Sequence, residues 1–180
     1  MSQASPSRDA LERAARVRLM IFDVDGVLTD GRLWYGPEGE ALKVFHAADG
    51  HGVKMLAASG VVTAVLSGRR AAAVERRAAE LGIAHVLQGI DDKRPAFETL
   101  LARVGVDATA TGYMGDELVD LPVMTRSGFA CAPREAPAFV RQHAQYVARA
   151  PAGGGAVREV CELVMQAQGT LAARLAAYVA

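Results

Sequence analysis

A chain of 180 residues with 20 Lys plus Arg against 20 Asp plus Glu carries no net charge with which to grip nucleic acid or an anionic lipid surface, so small charged molecules are the partners its electrostatics leave open. The length predicts one principal domain, large enough to bury about 70% of its unfolded surface. No segment reaches the ~18 apolar residues that span a bilayer, and MSQASPSRDALERAARV lacks the apolar stretch of a secretory signal, which predicts a cytoplasmic protein with no membrane partner.

In chain order, residues 1–16 read as a flexible N-terminal segment or short helix. VRLMIF (17–22) is a strand-like run that ends directly in Asp23 and, one residue beyond, Asp25. Two carboxylates this close repel unless a cation or a proton lies between them. RLWYGPEGEALKVF (32–45) carries Gly36, Pro37 and Gly39 between β-prone arms, the composition of a hairpin turn, with Trp34 and Tyr35 read as core or interface residues. In FHAADGHGVKML, Asp49 precedes Gly50 and reads either as a cap of the next helix or as a contact to a sugar hydroxyl. VVTAVLS (61–67) ends in Ser67, with Arg69 just after it. AHVLQ (84–88) is followed by Lys93 at the start of a helical pattern. TGYMG (111–115) leads into GDELVD, with Asp116 and Asp120, and GFACA (128–132) and QYVA (145–148) complete the strand-like runs. Cys131 and Cys161 lack metal-ligand spacing and read as reduced core thiols. Val157, Val160, Cys161 and Val164 recur at helical spacing, and residues 170–180 form a short apolar tail.

The rhythm predicts an α/β fold: a Rossmann-like parallel sheet with helices on both faces and a β-hairpin insertion after the first strand. In such sheets ligands bind at the carboxyl edge, where Asp23, Asp25, Ser67, Lys93, Asp116 and Asp120 all fall. Carboxylates beside a hydroxyl and a lysine supply a hard-cation site next to an anion site, and Mg²⁺ suits the acids. An Asp or Ser after a strand, taken singly, is commonly just a helix cap.

DVDGVLTD, LSGR, DK and GDELVD resemble, in order and spacing, the four motifs of the haloacid dehalogenase superfamily of phosphotransferases. More narrowly, FHAADGHGVKML, SGRRAAAVERRAAELGI, QGIDDK and GGGAVREVCELVMQAQG resemble the 3-deoxy-D-manno-octulosonate 8-phosphate phosphatases, over residues 17–169. The resemblance implies a cytoplasmic, Mg²⁺-dependent phosphatase of lipopolysaccharide precursor synthesis, forming homotetramers. It implies catalytic Asp23 (nucleophile) and Asp25 (acid, then base), and phosphate held by Ser67 and Lys93. Metal would be bound by Asp23, the backbone carbonyl of Asp25 and Asp116. Arg69 would meet the sugar-acid carboxylate, with Asp49 a further substrate contact, and Asp120 would orient Lys93 or metal-bound water. A nonulosonate 9-phosphate phosphatase shares much of this pattern. A phospho-accepting receiver domain is a distant alternative, its acceptor Asp following the third strand rather than the first.

Only 43 residues separate Asp23 from Ser67 and 25 separate Ser67 from Lys93, which leaves no room for a cap domain. A neighbouring subunit is then the expected cover of the site, with the hairpin mediating assembly. The C-terminal tail either packs on its own domain or, as the resemblance implies, reaches a neighbouring subunit. Two positions depart from the family pattern: Glu117, where the second acid of GDD is usual, and Gly154, where a basic or polar residue usually stands between glycines.

Overall fold

In a computed structural model of the chain, which describes residues 6–179, strand β1 (Leu19–Phe22) is buried at every position. Successive strand residues point to opposite faces, so an unbroken apolar run means that both faces are covered. Met20 and Phe22 pack on one side, with Val53 and Leu56 of α2 (Ala47–Ala58), Val74 of α3 (Ala72–Leu81) and Val160 of α7 (Ala156–Ala167). Leu19 and Ile21 pack on the other, with Phe97 and Leu100 of α4 (Lys93–Val104), Val123 of α5 (Leu121–Met124) and Val140 of α6 (Ala138–Arg141). Cys131 and Cys161 are free and lie in the first of these cores.

The remaining strands are β4 (Val62–Ser67), β5 (His85–Gln88), β6 (Thr111–Met114), β7 (Phe129–Ala132) and β8 (Tyr146–Val147). They join β1 in one parallel sheet of order β5-β4-β1-β6-β7-β8, each falling within the run that predicts it. The chain builds outward from β1 through β4 to β5, then returns to β6 on the other side of β1. The strand order therefore reverses at β1, and a crevice opens at its carboxyl end. The insertion after β1 is the expected hairpin, β2 (Trp34–Gly36) paired antiparallel with β3 (Gly39–Leu42), outside the main sheet. Trp34 and Tyr35 are 54% and 64% exposed, so the core reading of these aromatics fails within one chain, and Leu42 and Val44 are exposed beside them.

Short helices lie near both ends of the described residues. Residues 8–14 form α1 (Arg8–Ala14), capped where Ser7 accepts a hydrogen bond from Ala10 N at 3.1 Å, and Ala10 and Ala14 are fully buried in the core that holds α7. That part of the expected flexible segment is helical, and residues 1–5 lie outside the described residues. The tail forms α8 (Leu171–Ala176), and the Tyr178 ring meets His51 of α2 edge-on with centroids 5.4 Å apart. Among the described residues no helix is long and apolar enough to cross a membrane.

Asp49 corrects the expectation of a substrate contact. Its carboxylate is buried and accepts from Gly155 N at 3.1 Å and Arg158 N at 2.8 Å, so it caps α7, more than a hundred residues away, instead of the helix it lies in or a sugar. Burial raises its pKa, and the backbone N–H groups of Arg158 and Gly155 oppose the rise. Asp49→Ala leaves two helix-start N–H groups without their acceptor, a loss of about 1–3 kcal/mol. The melting temperature is expected to fall by about 2–4 °C per kcal/mol for a domain of this size. A raised KM at an unchanged melting temperature would instead support the sugar contact.

Candidate active site

Asp23 is the first residue beyond β1. It continues the alternation of Leu19 and Ile21, so its side chain is directed toward the face covered by α4. Lys93 opens that helix and reaches back, its Nζ 2.8 Å from Asp23 Oδ1 and 2.7 Å from Asp120 Oδ1. The lysine side chain is only 2% exposed. Burial works to lower its pKa, but the two carboxylates outweigh that and hold it above the usual lysine value.

Asp120 takes four donors. Lys93 and the Tyr113 hydroxyl reach Oδ1, while the backbone N–H groups of Asp116 and Glu117 reach Oδ2 at 3.0 and 3.1 Å. Tyr113 is fully buried in β6 opposite Ile21, its OH 3.3 Å from Lys93 Nζ, and burial with the Asp120 charge holds the phenol well above its ordinary pKa. It therefore stays a donor. Sequence reading passes over it as strand filling. The available signal was a hydroxyl in the middle of an apolar run, since a buried phenol needs a partner.

Oxygens of Asp23, Asp116 and Asp120 lie within 4.8 Å of one another. With Asp120 committed to its four donors, the oxygen that stands out is Asp116 Oδ1, buried and without a hydrogen-bond partner. An unpartnered buried carboxylate oxygen beside a second carboxylate fits a hard cation. Gly26 makes the approach possible: its φ is +84°, and a Cβ there would stand 2.1 Å from Asp116 Oδ2. Burial, with Asp120 adding to it and Lys93 opposing, pushes Asp23 up to about 6. Burial and the charges of Asp23 and Asp120 push Asp116 up to about 8.

Asp23, Asp25, Ser67, Arg69, Lys93, Asp116 and Glu117 all line one open cavity of about 370 Å³, with Gly31, Leu33, Gly68 and Val119. The four predicted loops thus converge. Ser67 is buried at the end of β4, four residues before Ala71, the cap position of α3, so the helix-cap reading of the serine does not hold. Glu117 is exposed and its Oε1 accepts from Leu118 N at 2.7 Å, so the departure from GDD is absorbed in a local cap. Asp25 pairs through Oδ1 with Lys43, from the segment between β3 and α2, which sequence reading does not single out. Its Oδ2 is 3.8 Å from Arg69 Nε, and Arg69 donates to the Tyr35 hydroxyl at 3.3 Å.

Fold and side chains together define the class: a phosphohydrolase of the haloacid dehalogenase superfamily. No protein-family model matches the chain. It is 44% identical over 163 residues to 3-deoxy-D-manno-octulosonate 8-phosphate phosphatase KdsC of Yersinia pestis, covering 91% of this chain and 87% of the relative. A probable YrbI family phosphatase from Pseudomonas syringae pv. phaseolica 1448a superposes with TM-score 0.94 at 48% identity, over 97% and 99% of the two chains. The Moraxella catarrhalis 3-deoxy-D-manno-octulosonate 8-phosphate phosphatase, solved with magnesium ion, phosphate ion and KDO, superposes with TM-score 0.92 at 38% identity, over 94% and 98%. The chain belongs to the 3-deoxy-D-manno-octulosonate 8-phosphate phosphatase family.

The raised acids predict how stability depends on pH. Asp23 and Asp116 bind protons more tightly folded than unfolded, where an Asp titrates near ~3.9. The stabilisation they give is complete below about pH 4 and is lost as pH rises through about 6 and about 8. In the presence of chelator the melting temperature is expected to fall from about pH 5 to about pH 9, and millimolar Mg²⁺ at the upper end to restore it by binding the folded acids. A melting temperature that ignores both pH and Mg²⁺ over that range would exclude the cation site.

Proposed function

We propose that the protein hydrolyses 3-deoxy-D-manno-octulosonate 8-phosphate to the free sugar acid and phosphate, as a Mg²⁺-dependent cytoplasmic enzyme of lipopolysaccharide precursor synthesis. The observation that carries the chemistry is Asp23, held 2.8 Å from a buried Lys93 on the wall of an open cavity, with Asp25 two residues on. The substrate class is supported by the family and by the KDO and phosphate bound to the Moraxella catarrhalis relative.

In this reading Asp23 attacks phosphorus in line and becomes an aspartyl phosphate. Asp25 gives its proton to the departing sugar oxygen, and its carboxylate then takes a proton from the water that cleaves the acyl phosphate. Ser67 and Lys93 hold the phosphoryl oxygens, and Lys93 also offsets the negative charge around the nucleophile. Asp120 acts through others: its four hydrogen bonds fix Lys93 and the backbone at Asp116. Asp23, the carbonyl of Asp25 and Asp116 would hold Mg²⁺, which when bound reduces the repulsion between nucleophile and phosphate. Arg69, exposed at the cavity wall, suits a planar contact to the sugar-acid carboxylate.

Residues 17–169 form the phosphatase domain of this reading. Among the described residues no cap domain covers the cavity, and the hairpin presents Trp34, Tyr35, Leu42 and Val44 to solvent. Association through this apolar surface into a homotetramer covers both.

Two experiments test the proposal. Phosphate release across a panel of 3-deoxy-D-manno-octulosonate 8-phosphate, nonulosonate 9-phosphates and hexose phosphates is expected to favour the first. Equal or better turnover of the nonulosonate or hexose phosphates would overturn the substrate assignment and leave the reaction type standing. Asp23→Asn is expected to abolish turnover and covalent labelling of the protein by substrate phosphate, because an amide is a poor nucleophile. Retained labelling would place the nucleophile elsewhere.

A further inference from the structure

Lys43 lies outside every motif the proposed chemistry uses. It follows β3 on the chain segment that runs from the hairpin back to α2, and its ammonium meets Asp25 Oδ1. Its side chain is 2% exposed and does not line the cavity, whereas Asp25 does. The second oxygen, Oδ2, is directed differently. Arg69 Nε stands 3.8 Å from it, beyond hydrogen-bond reach, and Arg69 is itself tied to Tyr35 of β2. Both contacts to the Asp25 carboxyl group therefore trace back to the hairpin.

We propose that Lys43 is a positioning residue for Asp25. By occupying Oδ1, it leaves Oδ2 as the oxygen that faces the cavity and carries the transferred proton. In the first half-reaction the Asp23 Oδ–phosphorus bond forms as the phosphorus–alkoxide bond breaks, and the proton on Asp25 Oδ2 goes to the departing alkoxide. In the second, water attacks phosphorus, its proton returns to Asp25 Oδ2, and the Asp23–phosphorus bond breaks to release phosphate. A carboxyl that turns away from this line loses its part in both steps, since proton transfer needs hydrogen-bond distance in the reacting geometry. The inference rests on the reading of Asp25 as acid and base.

Leaving-group dependence tests it. An alkoxide needs a proton to depart, whereas p-nitrophenolate leaves without one. kcat/KM reports only the steps up to that departure, so the later water attack does not enter. Lys43→Met keeps the apolar stem and removes the ammonium. It is expected to lower kcat/KM by about tenfold or more on the best sugar phosphate of the panel, part of the 10²- to 10⁴-fold supplied by a general acid. On p-nitrophenyl phosphate the change is expected to stay within about twofold. Lys43→Arg, which restores a cationic donor, is expected to recover most of the loss, and Lys43→Gln serves in place of Lys43→Met should that variant fail to fold. Equal losses on both substrates would overturn the proposal and make Lys43 a phosphate-attracting charge or a packing residue. Asp25→Asn, measured in parallel, separates the premise from the inference. If it shows the selective loss and the Lys43 variants do not, Lys43 does not position Asp25; if it shows none, Asp25 is not the acid and both fall.

Discussion

A lysine ammonium held between two carboxylates, with almost no access to water, is the constraint on which the rest of this structure depends. Taking such charges out of water costs several kcal/mol each, and only close pairing repays it. Lys93 is paired at 2.7 and 2.8 Å, but its single charge faces three acids, Asp23, Asp116 and Asp120. Asp120 is stabilised by two backbone N–H groups and a phenol besides the lysine. The uncompensated charge is thereby left on Asp23 and Asp116, the two acids whose pKa values burial and mutual repulsion drive up. A cluster short of positive charge in this way fits a cation.

The sheet explains why these groups meet. β1 is central, with β4 and β6 on either side, and the reversal of strand order at β1 leaves its carboxyl end uncovered. Pairing in register places Tyr113 opposite Ile21, on the face shared with Asp23, and α4 covers that face and begins with Lys93. Alternation along one strand therefore decides which acid meets the lysine. A slip of one residue in β1 would turn Asp23 toward α2 and α7 and leave Lys93 buried without it.

Much of this is legible in the sequence, and the exceptions have physical causes. The six strands of the main sheet are short apolar runs, and in β1, β6 and β7 burial on both faces produces that pattern directly. Asp23, Lys93 and Asp116 are legible because charged residues at strand and helix ends stand out against that background. Asp49 is misread because its partners, Gly155 and Arg158, are distant in the chain, and nothing local distinguishes a carboxylate that caps a remote helix from one that meets a ligand. α1 fully buries only two alanines, Ala10 and Ala14, with Leu11 partly buried beside them on an otherwise charged stretch, too little apolar contrast to signal a docked helix. Lys43 is one charge among several on a hairpin arm, and only the fold brings it to Asp25.

The loop after Asp23 is braced on several sides by segments that are remote in sequence. Asp116 closes on Gly26, leaving no room for a side chain there. Gly153 donates to Val27 O at 3.2 Å, and a Cβ on it would stand 2.5 Å from Asp30 N, so the glycine loop lies directly against this backbone. Lys43 approaches from the hairpin. Such bracing fixes Asp25 relative to Asp23 without involving the groups that would meet a sugar. Arg69 stands exposed on the cavity wall, and Gly154 sits one residue past the contact that Gly153 makes. A change at Arg69 can therefore alter which sugar acid is accepted while the acid pair, the lysine and the cation site stay as they are. Gly154 does not line the cavity that holds Asp23 and Lys93, and its own neighbour is Pro151. The departure at Gly154 is for this reason compatible with unchanged chemistry at Asp23.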